Sequence, residues 1–291
     1  MTASTRWIPP RCFRVRVISA CEWVRCDRAR LQAAAWSTLA KVTSTVLGPT
    51  LVYVCVALVG LAAAVYRLAS LGRWWTVPSA ALRAAVQLAA VAAVLVFAVS
   101  RLWTSALVIA AMFVIASLTA ARRSQADHGS RWLALALAAG LTAVLPLLLL
   151  TGVVPLDGVA IVPIAGIVLG GTMTAVAVAA RRGLDTLTLR AGEVDAALSL
   201  GLTSRDARME VIGRATADAL LPNIDQARTA GLVTLPGAFV GVLLSTGSAA
   251  QAGAVQVLVL VALLTSQSCA VALTAELVAR GKVTRSVTTH F

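Results

Sequence analysis

At 291 residues, with 59% hydrophobic and 13% charged residues and a mean hydropathy of +0.88, the chain is too apolar for a soluble domain, whose charged share is about 25%. The net charge of +13 does not point to nucleic acid, because the basic residues sit in loops and termini without interleaved aromatics, the distribution of a membrane protein. Apolar stretches of spanning length recur and alternating ten-residue strands do not, so the expected fold is an all-α, polytopic helical membrane protein.

In chain order, residues 1–46 form a basic arm with Arg6, Arg11, Arg14, Arg16, Arg25, Arg28, Arg30 and Lys41. It has neither the h-region nor the cleavage pattern of a signal peptide. Two readings stay open, a disordered arm or a mis-assigned start near Val42 or Val46. Apolar segments follow at about 48–68, 78–99, 103–121, 132–152, 158–180, 229–247 and 254–279, which gives about seven spans by the length rule. The Lys and Arg of the odd-numbered loops and of the C-terminal end alternate with nearly uncharged loops. Retention of basic residues on the cytoplasmic side then places the polar stretch between spans five and six, and the C-terminus, inside. Seven spans put the N-terminus outside, which conflicts with the basic arm unless the mature chain lacks it, the first segment does not span, or the arm is translocated despite its charge. The expected domain layout is the arm 1–46, a membrane domain 47–282 with its polar loop at 182–228, and a short cytoplasmic tail 283–291.

Residues 193–241, with ten charged residues, are the least membrane-like interior stretch. Glu193 to Leu200 is rich in helix formers and Gly201 stands where a left-handed C-terminal cap is wanted. Thr203 and Asp206 make a capping-box-like start, Ala207, Val211, Ala215 and Ala219 recur every four residues, and Pro222 is expected to stop or redirect the helix. A polar helical hairpin at the membrane surface therefore leads into a segment broken at Leu235-Pro236-Gly237. There Pro removes a backbone donor, and the freed polar backbone is tolerated only under protein or water, so span six is expected to face the bundle interior. The GxxxG pairs at Gly166/Gly170 and Gly237/Gly241 read equally as helix packing or as a pathway wall. Asp225 and Arg228 are spaced to pair on one helical face. Gln87, Gln256 and Gln267 need polar partners in or near spans, and Gln267, beside Ser266, Ser268 and Cys269, is the best polar cluster of the last span.

Chemistry within the chain is sparse. Cys12, Cys21, Cys26, Cys55 and Cys269, with His128 and His290, lack the close four-ligand spacing of a zinc site. Met173, Cys55 and Cys269 are scattered candidates for a soft metal, and composition yields no metal site. The sole Gly-Lys, Gly281-Lys282, has Glu276 where a P-loop needs its first Gly, and no catalytic constellation recurs. The chain reads as a non-enzyme without a cofactor of its own.

Glu193, Ala196, Ala197 and Gly201 resemble the cytoplasmic Glu-Ala-Ala…Gly loop by which ABC-transporter permeases dock their ATPase subunits. PNIDQARTAGLVTLPGAFVG at 222–241, VPIAGIVLGGTMTAVAVAARR at 162–182, LRAAVQL at 82–88 and Gln256 resemble the FetB-like iron-export ABC permease family over roughly 51–282. Gly171 departs from it, standing where relatives carry Asn, as do Val194 and Asp195 within the docking loop and the lack of Pro and Tyr before Gln256. The resemblance implies a bacterial inner-membrane permease that exports iron or another metal, working as a homodimer among membrane lipid with a separate cytoplasmic ATPase that binds ATP–Mg. It also implies ATPase coupling at Glu193, Asp195, Ala197, Leu198, Gly201 and Thr203, and a translocation path touching Met173, Asp225, Arg228, Pro236, Gly237 and Gln267. The alternatives are an importer permease for a small organic solute, an ATP-independent channel or carrier, and a non-transporting membrane scaffold.

Overall fold

The computed structural model describes residues 49–70, 72–98, 102–152 and 158–285. The arm 1–46, with Cys12, Cys21 and Cys26, and the tail from 286, with His290, lie outside the described residues. In order, the helices are α1 (Pro49–Leu68), α2 (Thr76–Ala98), α3 (Leu102–Ser124), α4 (Trp132–Leu150), α5 (Gly158–Leu189), α6 (Ala191–Ser199), α7 (Ser204–Ala217), α8 (Leu221–Thr229), α9 (Gly237–Thr246) and α10 (Ala249–Ala279), with a 3-10 turn Asp218–Leu220 joining α7 to α8. The protein is all-helical. Among the described residues five helices are long and apolar enough to cross a membrane; of the seven expected segments the second is α2, of 23 residues, and the sixth is the ten-residue helix Gly237–Thr246.

The chain divides into two compact units at Leu88/Ala89. In the first, α1 exposes Val52, Tyr53, Val56, Leu58 and Leu61, which is the expected solvation by lipid rather than water. The second unit holds the core. There α5, of 32 residues, and α10, of 31, run about 48 and 46 Å at 1.5 Å per residue, well beyond the ~30 Å hydrocarbon layer. Their ends therefore project past the apolar zone and form a stem for polar structure.

Helices α4, α5 and α10 approach closely because small residues face one another. A Cβ at Gly140 on α4 would lie 2.6 Å from the Ser266 carbonyl oxygen of α10, and one at Gly171 on α5 would meet the Leu263 side chain at 2.5 Å and the Gln267 amide at 2.8 Å. Association in lipid has no hydrophobic drive, so close contact of small residues supplies it. Leu133, Leu137, Val176, Ala180, Leu184, Ile212, Leu277, Val278 and Val283 close the main cluster across α4, α5, α7 and α10. In the GxxxG pairs only Gly166 touches a neighbouring helix, its missing Cβ 2.9 Å from Met112, whereas Gly170, Gly237 and Gly241 open on free space.

At one end of this unit the α3–α4 loop, the end of α10 and the end of α5 are tied together. His128 and Thr284 exchange backbone hydrogen bonds, 3.2 and 3.1 Å. A Cβ on Gly129 (φ +74°) would overlap the Lys282 carbonyl oxygen at 1.7 Å. Arg285 bonds the Gln125 and Ser124 carbonyls, 2.8 and 3.2 Å, and the Asp185 carboxylate.

Gly140→Ala is expected to lower stability by about 1–3 kcal/mol through overpacking against backbone, whereas Gly213→Ala, whose Cβ meets nothing, is neutral or slightly stabilising. Thermal unfolding of the purified chain in detergent checks both; equal effects at the two sites would refute the packing account.

Candidate functional site

The hairpin 190–220 rises from the shared polar end. Helix α6 finishes in the cap foreseen for it: Gly201 has φ +90°, its N–H donates to Leu198 O (2.9 Å) and the Leu202 N–H to Ala197 O (3.2 Å), the paired bonds of a Schellman motif. No residue of α6 is buried. The tip exposes Leu198 (40%), Leu200 (83%) and Leu202 (38%), three leucines around a glycine turn. Of these only Leu198 stood out in the sequence; the Leu-x-Leu-x-Leu spacing across the cap could have flagged the others.

The second helix of the hairpin is anchored. The Thr203 hydroxyl accepts from the Asp206 N–H (3.2 Å) and donates to the Asp206 carboxylate (2.6 Å), so the capping box closes on side chains at its reciprocal bond. Ala207, Ile212, Thr216 and Ala219 are buried against α5 and α10. This corrects the expected face: Val211 and Ala215 are only half-buried at its edge, because the stripe that meets the bundle is rotated by one residue and centred on Ile212. Pro222 does not stop α7. The 3-10 turn does, and Pro222 sits in the first turn of α8, where its missing N–H costs nothing.

Arg205 provides a link that sequence reasoning did not find. Its guanidinium forks onto Glu276 of α10, Nε to Oε1 at 3.0 Å and Nη2 to Oε2 at 2.6 Å, while Nη1 reaches Asp206 at 2.7 Å. Arg280 completes the Glu276 shell at 2.6 Å. Such bidentate geometry is directional as well as attractive. Glu276 first raises the Arg205 pKa and Asp206 adds to it. The Thr203 hydroxyl, then Arg205, holds the Asp206 carboxyl below its ordinary value of 3.8. Arg182 on α5 pairs with Asp218 at 3.3 Å, so both ends of α7 are pinned to the long helices. Seventy-one residues separate Arg205 from Glu276, and no local pattern announces such a pair.

Between α5, α6 and α7 lies a cleft of about 520 Å³ lined by Arg190, Glu193, Ala197, Glu210, Val211 and Arg214, among others. Glu193 pairs with Arg190 at 3.6 Å. Asp195 lines the smaller cleft on the opposite side, with Arg208. Of the six docking residues expected, Glu193, Asp195, Ala197, Leu198 and Gly201 thus belong to the projecting α6 and its cap, and Thr203 to the anchored helix.

The expected pathway residues are not brought together. Gln267 is fully buried, against Gly171. Beside it Thr172 and Ser266 share a hydrogen bond of 2.8 Å, while neither amide atom of Gln267 has a partner among the described residues. Met173, on another face of α5, packs against the main core cluster. Asp225 and Arg228 pair at 3.6 Å on α8, both largely exposed. Pro236 is the N-cap of α9 and Gly237 its first residue; α9 buries nothing. The segment 230–236 is an exposed turn in which Gly231 N–H donates to Thr234 O at 2.8 Å, with Leu232, Val233 and Leu235 outward. The expectation that span six faces the bundle interior is therefore corrected: the turn satisfies part of its own backbone, leaving a ten-residue helix of about 15 Å packed chiefly on α10. Among the described residues no group of three or more His, Cys, Asp or Glu could hold a metal; Cys55 and Cys269 are exposed free thiols.

Fold and site together define a polytopic helical membrane protein that presents a rigidly seated polar hairpin. Residues 49–282 match the model of the family described as "Uncharacterised protein family (UPF0014)", and the chain belongs to that family. It is 32% identical over 181 residues to "UPF0014 membrane protein STAR2" of Oryza sativa subsp. japonica, covering 61% of this chain and 64% of that protein. To "Protein ALUMINUM SENSITIVE 3" of Arabidopsis thaliana it is 30% identical over 181 residues, covering 61% and 66%. To "Probable iron export permease protein FetB" of Escherichia coli it is 31% identical over 139 residues, covering 48% and 53%. The matched stretch thus spans just under two thirds of the first two relatives. No solved structure matches.

Arg205→Met and Glu276→Gln are each expected to lower the unfolding temperature, with the double variant little worse than either single one; additive losses would show that the pair does not couple α7 to α10. Because the folded Asp206 pKa is depressed, its contribution to stability is present above about pH 4 and is lost as pH falls through the lowered value. Asp206→Asn should flatten that acid limb in unfolding measured between pH 5 and 3.

Proposed function

We propose that the chain is the membrane-spanning permease subunit of an ABC transporter that exports iron or another metal, driven by a separate cytoplasmic ATPase. The observation that carries this reading is mechanical. The leucine-tipped α6 is the free end of a lever whose other arm, α7, is fixed to α5 and α10 by Ile212 and by the Arg205–Glu276 and Arg182–Asp218 pairs. Apolar side chains around a capped turn suit insertion into a groove of a partner. A push on α6 would then move two helices that cross the bilayer, rather than pass along the chain to α9.

The hairpin, the α3–α4 loop and the end of α10 share one end of the second unit, and all carry Arg or Lys. With basic residues retained inside, that end is cytoplasmic, as an ATPase dock requires, and the N-terminus is outside. The exposed faces of α8 and α9 suit contact with a second copy, in keeping with a homodimer. ATP–Mg belongs to the ATPase; this chain supplies no catalytic group. Export of a metal rests on the printed name of the FetB relative and accords with the aluminium in another relative's name; Gln267 and Met173 are the path candidates that remain within the core.

Leu200→Asp, a change on an 83% exposed side chain, is expected to reduce co-purification of the cognate ATPase at least tenfold, about 1.4 kcal/mol or more, without lowering the unfolding temperature. Retention at the wild-type level would sink the docking reading. Deletion of the gene should raise cellular metal under metal stress; unchanged content would remove metal export.

A further inference from the structure

At the same polar end, on the α3–α5 side, lies a groove of about 300 Å³ lined by Arg122, Arg123, Gln125, Thr174, Val178 and Arg181. No carboxylate is among its described lining residues. Arg122 and Arg123 make no ion pair or side-chain hydrogen bond among the described residues. Arg181 pairs at 3.8 Å with Asp185, a carboxylate it shares with Arg285. Solvated arginines at a helix end are ordinary, but three that line one concavity with no carboxylate among its described lining residues repel one another and are poised for an anion.

The groove also has a direction. From Thr174, steps of four and seven residues back along α5 lead to Gly170 and Ile167; from Arg122, the same steps along α3 lead to Leu118 and Ile115. All four are exposed, and a Cβ on Gly170 would meet nothing within 4 Å. A basic cup therefore sits at the head of two exposed apolar helix faces, and Gly170, with no side chain between Ile167 and Thr174, leaves a shallow apolar furrow there.

We propose that this groove binds the phosphate headgroup of an acidic phospholipid, with an acyl chain in the Gly170–Leu118 furrow. Guanidinium groups match phosphate oxygens bidentately, and basic pockets between spanning helices are suited to such headgroups. A soluble phosphate shares the headgroup chemistry but makes no use of the furrow. Because α5 also carries the hairpin, the bound lipid braces the helix to which the lever is fixed.

Native mass spectrometry of the purified full chain, titrated with phosphatidylglycerol or phosphatidylcholine, tests the site. Phosphatidylglycerol should be retained at least tenfold more strongly, and Arg122→Gln with Arg123→Gln should abolish that preference, whereas Arg131→Gln, outside the groove, should preserve it. Gly170→Leu should weaken phosphatidylglycerol retention with all charges intact, and 5 to 10 mM inorganic phosphate, roughly ordinary buffer strength, should not displace the lipid. No lipid preference, full retention by the double variant, or equal loss in Arg131→Gln would overturn the site. Displacement by inorganic phosphate would overturn the lipid as occupant, and unchanged binding by Gly170→Leu would overturn the furrow.

Discussion

Everything in the second unit depends on how closely α10 can approach α4 and α5. Gly140 lies beneath the Ser266 carbonyl and Gly171 beneath Gln267 and Leu263, so side-chain-free surfaces set the spacing. In lipid there is no hydrophobic penalty for separation, and the contact has to be won by dispersion between closely packed atoms. Once α10 is in place its C-terminal turns stand beside those of α5, and the two together form the platform on which α7 rests.

That platform explains why the hairpin has two unlike halves. Helix α7 is short and polar, and an isolated helix of 14 residues is marginal in water; burial of Ile212 and Thr216 and the Arg205 fork stabilise it. Helix α6 gains no burial and depends on its neighbours and its Schellman cap. Stiffness in one half and exposure in the other are what the proposed docking role needs. The same polar end binds the α3–α4 loop through Gly129, His128 and Arg285, so displacement of α10 is felt by α4 as well.

The buried polar pocket of Thr172, Ser266 and Gln267 stands apart from this scaffold. Thr172 and Ser266 satisfy each other across α5 and α10, whereas the Gln267 amide is unmatched among the described residues, a costly condition inside an apolar bundle. Position 171 is Gly, so no side chain of α5 faces that amide at this point. An Asn there would place a polar group within reach of Gln267, but in the present packing its Cβ would collide with Leu263.

How much was legible follows the range of each interaction. The presence of most of the apolar helices, the Gly201 cap, the Thr203 N-cap and the Asp225–Arg228 pair depend on residues within one or two turns, and local chemistry determined them. The all-helical membrane class followed from composition and from the need to satisfy every backbone group internally. Which face of α7 is buried, the seating of the hairpin on α10 instead of α9, the short exposed α9 and the convergence of Arg122, Arg123 and Arg181 depend on partners tens of residues away. Periodicity could not separate Val211 from Ile212, since the two are alike in size and hydrophobicity and stand one residue apart. Only the tertiary structure decided between them, because the position of Glu276 on α10 sets where Arg205 is held, and hence how α7 is turned.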